Sequence, residues 1–338
     1  MKKINFILFL AVLTAISCRQ EQKKESKTPQ KQAKTTEKPD KNSKTYAELA
    51  IRKGDDWKPE KFGGGEFMNV DSLQLPEGHK DHAYYIRYEG PGWENAQVGY
   101  RMYLDWRNAI DIYGKKVDTL VLPYVGQDDY EAYHHESPWG QDILKAGKSL
   151  GIGGFGRFMN DTVAHFRNVK KTVAYVENDA NVSKVKINYD GWKTGDKSID
   201  LDAQLEIFPS GRFTKATLIP SAALEGLCTG IVKFDDVPAI QKKSKDGSWG
   251  YIATYGTQTL VNDTDKLGMV IFYKTAQVGN ILKGNDDHLV VFKPSNETIT
   301  YYFSGAWEQE HDGIKTEEDF IASIDENLAT LATNGKLE

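Results

Sequence analysis

Val98-Gly99-Tyr100-Arg101-Met102-Tyr103-Leu104-Asp105-Trp106 decides the fold class. Val98, Tyr100, Met102, Leu104 and Trp106 fall on one side of an extended chain, and Gly99, Arg101, Tyr103, Asp105 and Arg107 fall on the other. One set is apolar and the other mostly polar, the period of a half-buried strand. The same two-residue period recurs at 84–88, 163–169, 172–176, 182–189, 199–208, 213–219, 267–273, 289–292 and 298–303. Asp190-Gly191, Pro209-Ser210-Gly211 and Asp246-Gly247 punctuate these runs as turns. Helix signals are few. The best covers 316–333, with Thr316 and Asp319 at capping-box spacing and Phe320, Ile324, Leu328 and Leu331 on one stripe. Many strands and one terminal helix predict an all-β fold, a large antiparallel β-sandwich with a C-terminal helix.

Charge divides the chain. Of the net −5, residues 1–18 carry +2 and residues 19–44 carry +5, which leaves −12 on 45–338. So acidic a body is a poor general nucleic-acid binder, because phosphate contacts need a positive field. The 38 aromatic residues (7 Trp, 17 Tyr, 14 Phe) exclude wholesale disorder, and two cysteines exclude a disulfide scaffold. Lys2 and Lys3 precede an apolar run from Ile4 to Ile16, too short to span a bilayer, and Ala15-Ile16-Ser17-Cys18 resembles a bacterial lipobox. The expected organisation is a lipoprotein signal at 1–17, lipidation at Cys18, a disordered basic tether over 18–45 and a β-sandwich catalytic domain over 46–338. An exported protein follows, periplasm-facing or anchored to the outer membrane, that touches membrane by its lipid only. Cys228 is then expected to survive export unpaired by being buried.

Three motif matches fail their context. Gly151-Ile152-Gly153-Gly154-Phe155-Gly156 satisfies the dinucleotide fingerprint, but a strand pattern follows where a helix is required, so it predicts close backbone approach. Gly147-Lys148-Ser149-Leu150-Gly151 matches the nucleophile elbow, and the glycine run again opposes the helix that elbow needs. His135-Glu136 opens a zincin motif that Trp139 breaks.

Polar and aromatic residues concentrate at 130–140, where Tyr133, His134, His135 and Trp139 occupy a segment with no clear period. His165 and Arg167, two apart on one face, suit an anion or a structural His–Arg pair at a sheet edge alike. Arg101, Tyr103, Asp105 and Arg107 on one face suit carboxylate recognition and sugar contact better than a merely solvated face would. Trp93, Trp139, Trp307 and Tyr302 are either stacking platforms or core. No cofactor is expected, although Asp286-Asp287-His288 offers a divalent cation a short acidic turn.

The segments 88–95, 98–108, 139–145 and 148–153 together resemble a domain-of-unknown-function family of exported proteins from polysaccharide-utilisation loci of Bacteroidota. The resemblance covers roughly 46–335. It implies a galactose-mutarotase-like supersandwich and an oligosaccharide dehydratase of ulvan breakdown. Such an enzyme eliminates water from a non-reducing-end glucuronic or iduronic acid to leave a 4,5-unsaturated uronate. That reaction removes a C5 proton beside a carboxylate, so cations must meet the developing enediolate charge. Arg101, Arg107, Arg157 and Arg167, or a metal, are the candidates, with Trp139 and Trp307 as sugar contacts. A base and an acid complete the step; His134 or His165 is one, and Tyr103 or Tyr133 its partner. The alternatives are a polysaccharide lyase on a uronate-containing glycan and a non-catalytic glycan-binding lipoprotein.

Overall fold

Alternation from Lys171 to Pro220 zips three long strands into the centre of a nine-stranded antiparallel sheet. The computed structural model describes residues 39, 40, 42–53, 66–127 and 132–338. The expected signal, Cys18 and most of the tether lie outside the described residues. The large sheet runs in the order Ile240–Lys243, Trp249–Thr257, Lys266–Lys274, Ile299–Trp307, Phe213–Pro220, Lys197–Ile207, Val182–Thr194, Lys171–Asp179 and Ser72–Gln74.

Two five-stranded antiparallel sheets lie against its inner face. The first is Thr45–Glu48, Gly92–Asn95, Val98–Met102, Ile110–Lys115 and Gly140–Asp142. The second is Thr162–Ala164, Ile152–Met159, Leu227–Val232, Asp287–Phe292 and Val278–Lys283. A parallel bridge between Ile110 and Gly151 joins them edge to edge. The fold is therefore an all-β sandwich. Its core interleaves Trp93, Tyr100 and Ile112 of the first small sheet with Ile187, Leu205, Met269 and Phe303 of the large one.

The single α-helix, Glu317–Asn334, covers the other face of the large sheet. Thr316 caps it by accepting the Asp319 N–H at 3.1 Å, and Gly335 ends it at φ 72°. Phe320, Ile324, Leu328 and Leu331 bury against Tyr251, Val270 and Phe272, each contributing about 1.5–3 kcal/mol. Strand Lys266–Lys274 is consequently apolar on both faces, since Leu267, Met269 and Ile271 point to the main core. Among the described residues no helix is long and apolar enough to cross a membrane.

Several expectations need correction. The strand at Val98 ends at Met102, because the Tyr103 N–H turns to the Ala109 carbonyl at 2.9 Å and Asn108 takes φ 50°. Residues 84–88 form turns and a short 3-10 turn at Arg87–Glu89 instead of a strand, with Tyr85, Ile86 and Tyr88 buried. The 163–169 run is strand only at Thr162–Ala164. Asp190-Gly191 is a bulge inside Val182–Thr194, not a hairpin turn.

The glycine run serves close approach, as expected. A Cβ on Gly151 would meet the Ile110 carbonyl oxygen at 2.0 Å, and one on Gly153 would meet the Phe303 ring at 2.2 Å. Ser149 is sealed in the same region, donating to the Ala146 carbonyl at 2.7 Å and accepting the Gly151 N–H at 2.9 Å. Cys228 is fully buried, and burial pushes its thiol up.

Candidate active site

The first small sheet turns an apolar face to the core and a charged face outward. Register sets this directly: Gly92 pairs Arg101, Arg101 pairs Asp111, Tyr113 pairs Asp142, and Tyr46 pairs Glu94. Tyr46, Glu48, Glu94, Arg101, Asp111, Tyr113, Lys115 and Asp142 therefore share the outward face. That face is nonetheless buried. The chain between the strands folds over it, through the turn at Arg87–Glu89, the 3-10 turn Leu122–Tyr124 and the 3-10 turn Ala132–His134.

Each charge under this cover is paired, as burial requires. Glu94 accepts Lys115 Nζ at 2.9 Å and the N–H groups of Val121 and Leu122 at 2.7 Å each. Glu48 takes Arg87 Nη2 and accepts the Tyr88 hydroxyl at 2.6 Å. Those bonds hold down the first two of these turns.

Arg101 is the hub. Its Nη1 donates to the Tyr88 carbonyl at 3.1 Å and to the Tyr133 hydroxyl at 2.9 Å. Its Nη2 donates to the Tyr103 hydroxyl, to Asp111 Oδ2 at 2.8 Å and to Asp142 Oδ2 at 3.1 Å. Glu89 Oε1 stands 3.9 Å from Nη1. Tyr88 and Glu89 reach these positions only by adopting φ of 40° and 65°, which costs on the order of 1–2 kcal/mol each for residues with a side chain. Such strain concentrates where geometry is used.

One guanidinium thus faces three carboxylates. Burial, reinforced by the Asp142 charge and opposed by Arg101, pushes Asp111 up to about 7. Asp111 Oδ1 has no hydrogen-bond partner. Burial likewise pushes the Tyr103 and Tyr133 hydroxyls up, so both keep their protons. His134 lies at the edge of the network, its side chain 29% exposed, with Nδ1 3.1 Å from Asp142 Oδ2 and its ring 4.3 Å from that of Tyr133. At that separation the sealed carboxylate and the imidazole can pair through Nδ1.

Tyr103 carries the network toward solvent. The Arg101 guanidinium lies 4.1 Å from its ring centroid and that of Arg107 lies 4.0 Å from it. Asp105 grips Arg107 through Nε at 3.0 Å and also bonds the Arg107 N–H at 2.7 Å. His165 sits behind this loop, Nδ1 3.1 Å from the Arg107 carbonyl, and burial pushes its ring down. Arg167 is exposed and lies 3.5 Å over the Trp106 ring.

The structure thus brings together Arg101, Tyr103, Arg107, Tyr133 and His134, with His165 and Arg167 alongside. Arg101 itself is fully sealed, and both its terminal nitrogens bond within the protein. The expectation that it touches substrate gives way to a positioning role. Trp307 is a second correction: it is fully buried, donates Nε1 to Asp265 at 2.6 Å and packs where a Cβ on Gly114 would lie 2.5 Å away, so no sugar reaches it. Trp93 and Tyr302 are core as well. Trp139 is half-buried, edge-on to Tyr113 at 5.8 Å. Asp287 is engaged with the Leu150 N–H at 2.8 Å, and no group of three or more His, Cys, Asp or Glu among the described residues is arranged to hold a metal.

Glu89, Asp111 and Asp142 are the functional carboxylates that sequence reasoning missed. The one available signal was Asp111, a charge between Ile110 and Ile112.

A family model described as a domain of unknown function, DUF4861, matches residues 12–335. None of the curated proteins compared matches the chain.

Proposed function

The chain belongs to the DUF4861 family, and from that premise we propose that it is a carbohydrate dehydratase. It acts on a non-reducing-end uronic acid of ulvan-type oligosaccharides, as an exported lipoprotein held by Cys18. The single observation that carries the reading is His134 standing on Asp142 within the same hydrogen-bonded network as the Tyr103 hydroxyl. Elimination needs a base and an acid near one another, and Arg101 ties the Tyr103 hydroxyl to the carboxylate beside His134.

In this reading the His134 imidazole takes the C5 proton. The C5–H electron pair becomes the C4–C5 double bond, and the C4 hydroxyl leaves as water on receiving a proton. Tyr103 supplies that proton, and solvent restores it. Arg107, partly exposed beside Tyr103, meets the charge that grows on the uronate carboxylate. Arg101 holds Tyr103 and Tyr133 in place. His134 is preferred to His165 as base because its ring rests on a carboxylate, whereas that of His165 rests on a backbone carbonyl.

Incubation with saturated uronate-ended oligosaccharides tests this. Ultraviolet absorbance of the conjugated product should rise without chain cleavage, and His134→Ala should abolish the rise. Absorbance with cleavage would make the protein a lyase; no absorbance on any uronate oligomer would overturn the proposal.

A further inference from the structure

Arginines and aromatic rings alternate from the sealed interior to the surface. Arg101 lies 4.1 Å from the Tyr103 ring, Arg107 lies 4.0 Å from that ring and 6.0 Å from the Trp106 ring, and Arg167 lies 3.5 Å over Trp106. The first two cations are neutralised in place, Arg101 by Asp111 and Asp142 and Arg107 by Asp105. Arg167, at the exposed end, makes no ion pair with any described residue.

Its mounting is nonetheless built. Trp106 is fixed by its Nε1 donating to Asp81 at 3.3 Å and by the His165 ring, edge-on at 5.2 Å. A guanidinium laid flat on an aromatic face keeps its in-plane N–H donors directed sideways, in the fork that suits an oxyanion. Because the stack already orders the side chain, little rotamer freedom is left to lose on binding. Arg167 therefore stands as an unneutralised cation on a body of net −12.

We infer that the Trp106–Arg167 rim is a subsite for a second anionic group of the substrate, a carboxylate or sulfate ester on the sugar next to the reacting uronate. Specificity for a doubly charged oligosaccharide end follows. The inference rests on the dehydratase reading of the adjoining site.

Three disaccharide probes test it, each with a saturated terminal uronate and with a neutral, a carboxylated or a sulfated neighbouring sugar. Calorimetry reads binding and ultraviolet absorbance reads turnover. The protein should bind at least one charged probe about tenfold or more tighter than the neutral one. Arg167→Ala should bind the three within about threefold of one another, and Arg167→Lys should keep part of the preference. The charged probe that gains most identifies the group. Equal affinity for all three probes, or a uniform weakening in Arg167→Ala, would overturn the subsite. Turnover without preference would leave the dehydratase reading standing and the subsite refuted. An Arg167-dependent preference without turnover would do the reverse.

Discussion

Asp142 Oδ2 lies 3.1 Å from His134 Nδ1, a sealed carboxylate beneath a partly exposed imidazole. The same oxygen lies 3.1 Å from Arg101 Nη2, so the ring is tied to a fully buried cation of the sheet. Replacing the ring and replacing its support should therefore differ in kind. His134→Ala should lower kcat by about 10²-fold or more with the fold intact, as judged by circular dichroism. Asp142→Asn should lower kcat and also displace the pH–rate profile, since the ring loses its preferred tautomer. His165→Ala should cost less than about tenfold.

Arg101 should behave as a keystone of stability. Arg101→Met leaves Asp111 and Asp142 buried without their cation, and breaking buried pairs in this way costs about 3–5 kcal/mol. Arg101→Lys should rescue little, because one ammonium cannot reach five acceptors from a single plane. Denaturant titration checks both, with a lowered midpoint and unchanged slope as the expected result.

Stability should fall as the medium becomes less acid. Burial pushes Asp111, Asp287 and Glu310 each up to about 7 in the folded protein, against ~3.9–4.3 for unfolded carboxyls. Between those limits the folded state holds more protons than the unfolded state, so raising the pH favours unfolding through that window, and the contribution is flat above it. Unfolding free energy measured at pH 5 should exceed that at pH 8. Asp287→Asn, which keeps an acceptor for the Leu150 N–H, should flatten the dependence.

Two glycines separate conformation from space. Gly147 and Gly153 both have left-handed φ, of 59° and 71°, but only Gly153 has a ring where a Cβ would go. Gly147→Ala should cost about 1–2 kcal/mol. Gly153→Ala should cost that plus about 1–3 kcal/mol of overpacking against Phe303. Thermal melting of the two variants gives the comparison.

How far these features were legible varies with the range of the interactions behind them. Helix Glu317–Asn334 was readable to its cap, because cap, stripe and stop are local. The long strands of the large sheet were readable because each keeps one face in the core over many residues. Residues 84–88 misled because their apolar and aromatic side chains are buried by turns, with 85 to 88 all inside, not by the pleat of a strand. For the site, Arg101, Tyr103, Arg107, Tyr133 and His134 stood out by residue type. Their carboxylates did not: Asp142 follows Gly140-Gln141 in a three-residue strand, and only pairing with the strand at Tyr113 brings it beside Arg101. No spacing within one segment announces such a contact.

The turns laid over the charged sheet face are bolted from below by Glu48, Glu94 and Arg101. A hinged flap could not be fastened this way, since lifting it would strand several ions at once, each at a penalty of several kcal/mol. On the dehydratase reading, substrate would then approach tangentially, past His134 at the margin of these turns. A margin of that kind accepts a chain terminus more readily than the middle of a polymer. The protein would then consume glycans that other enzymes have already cut, trimming ends one at a time.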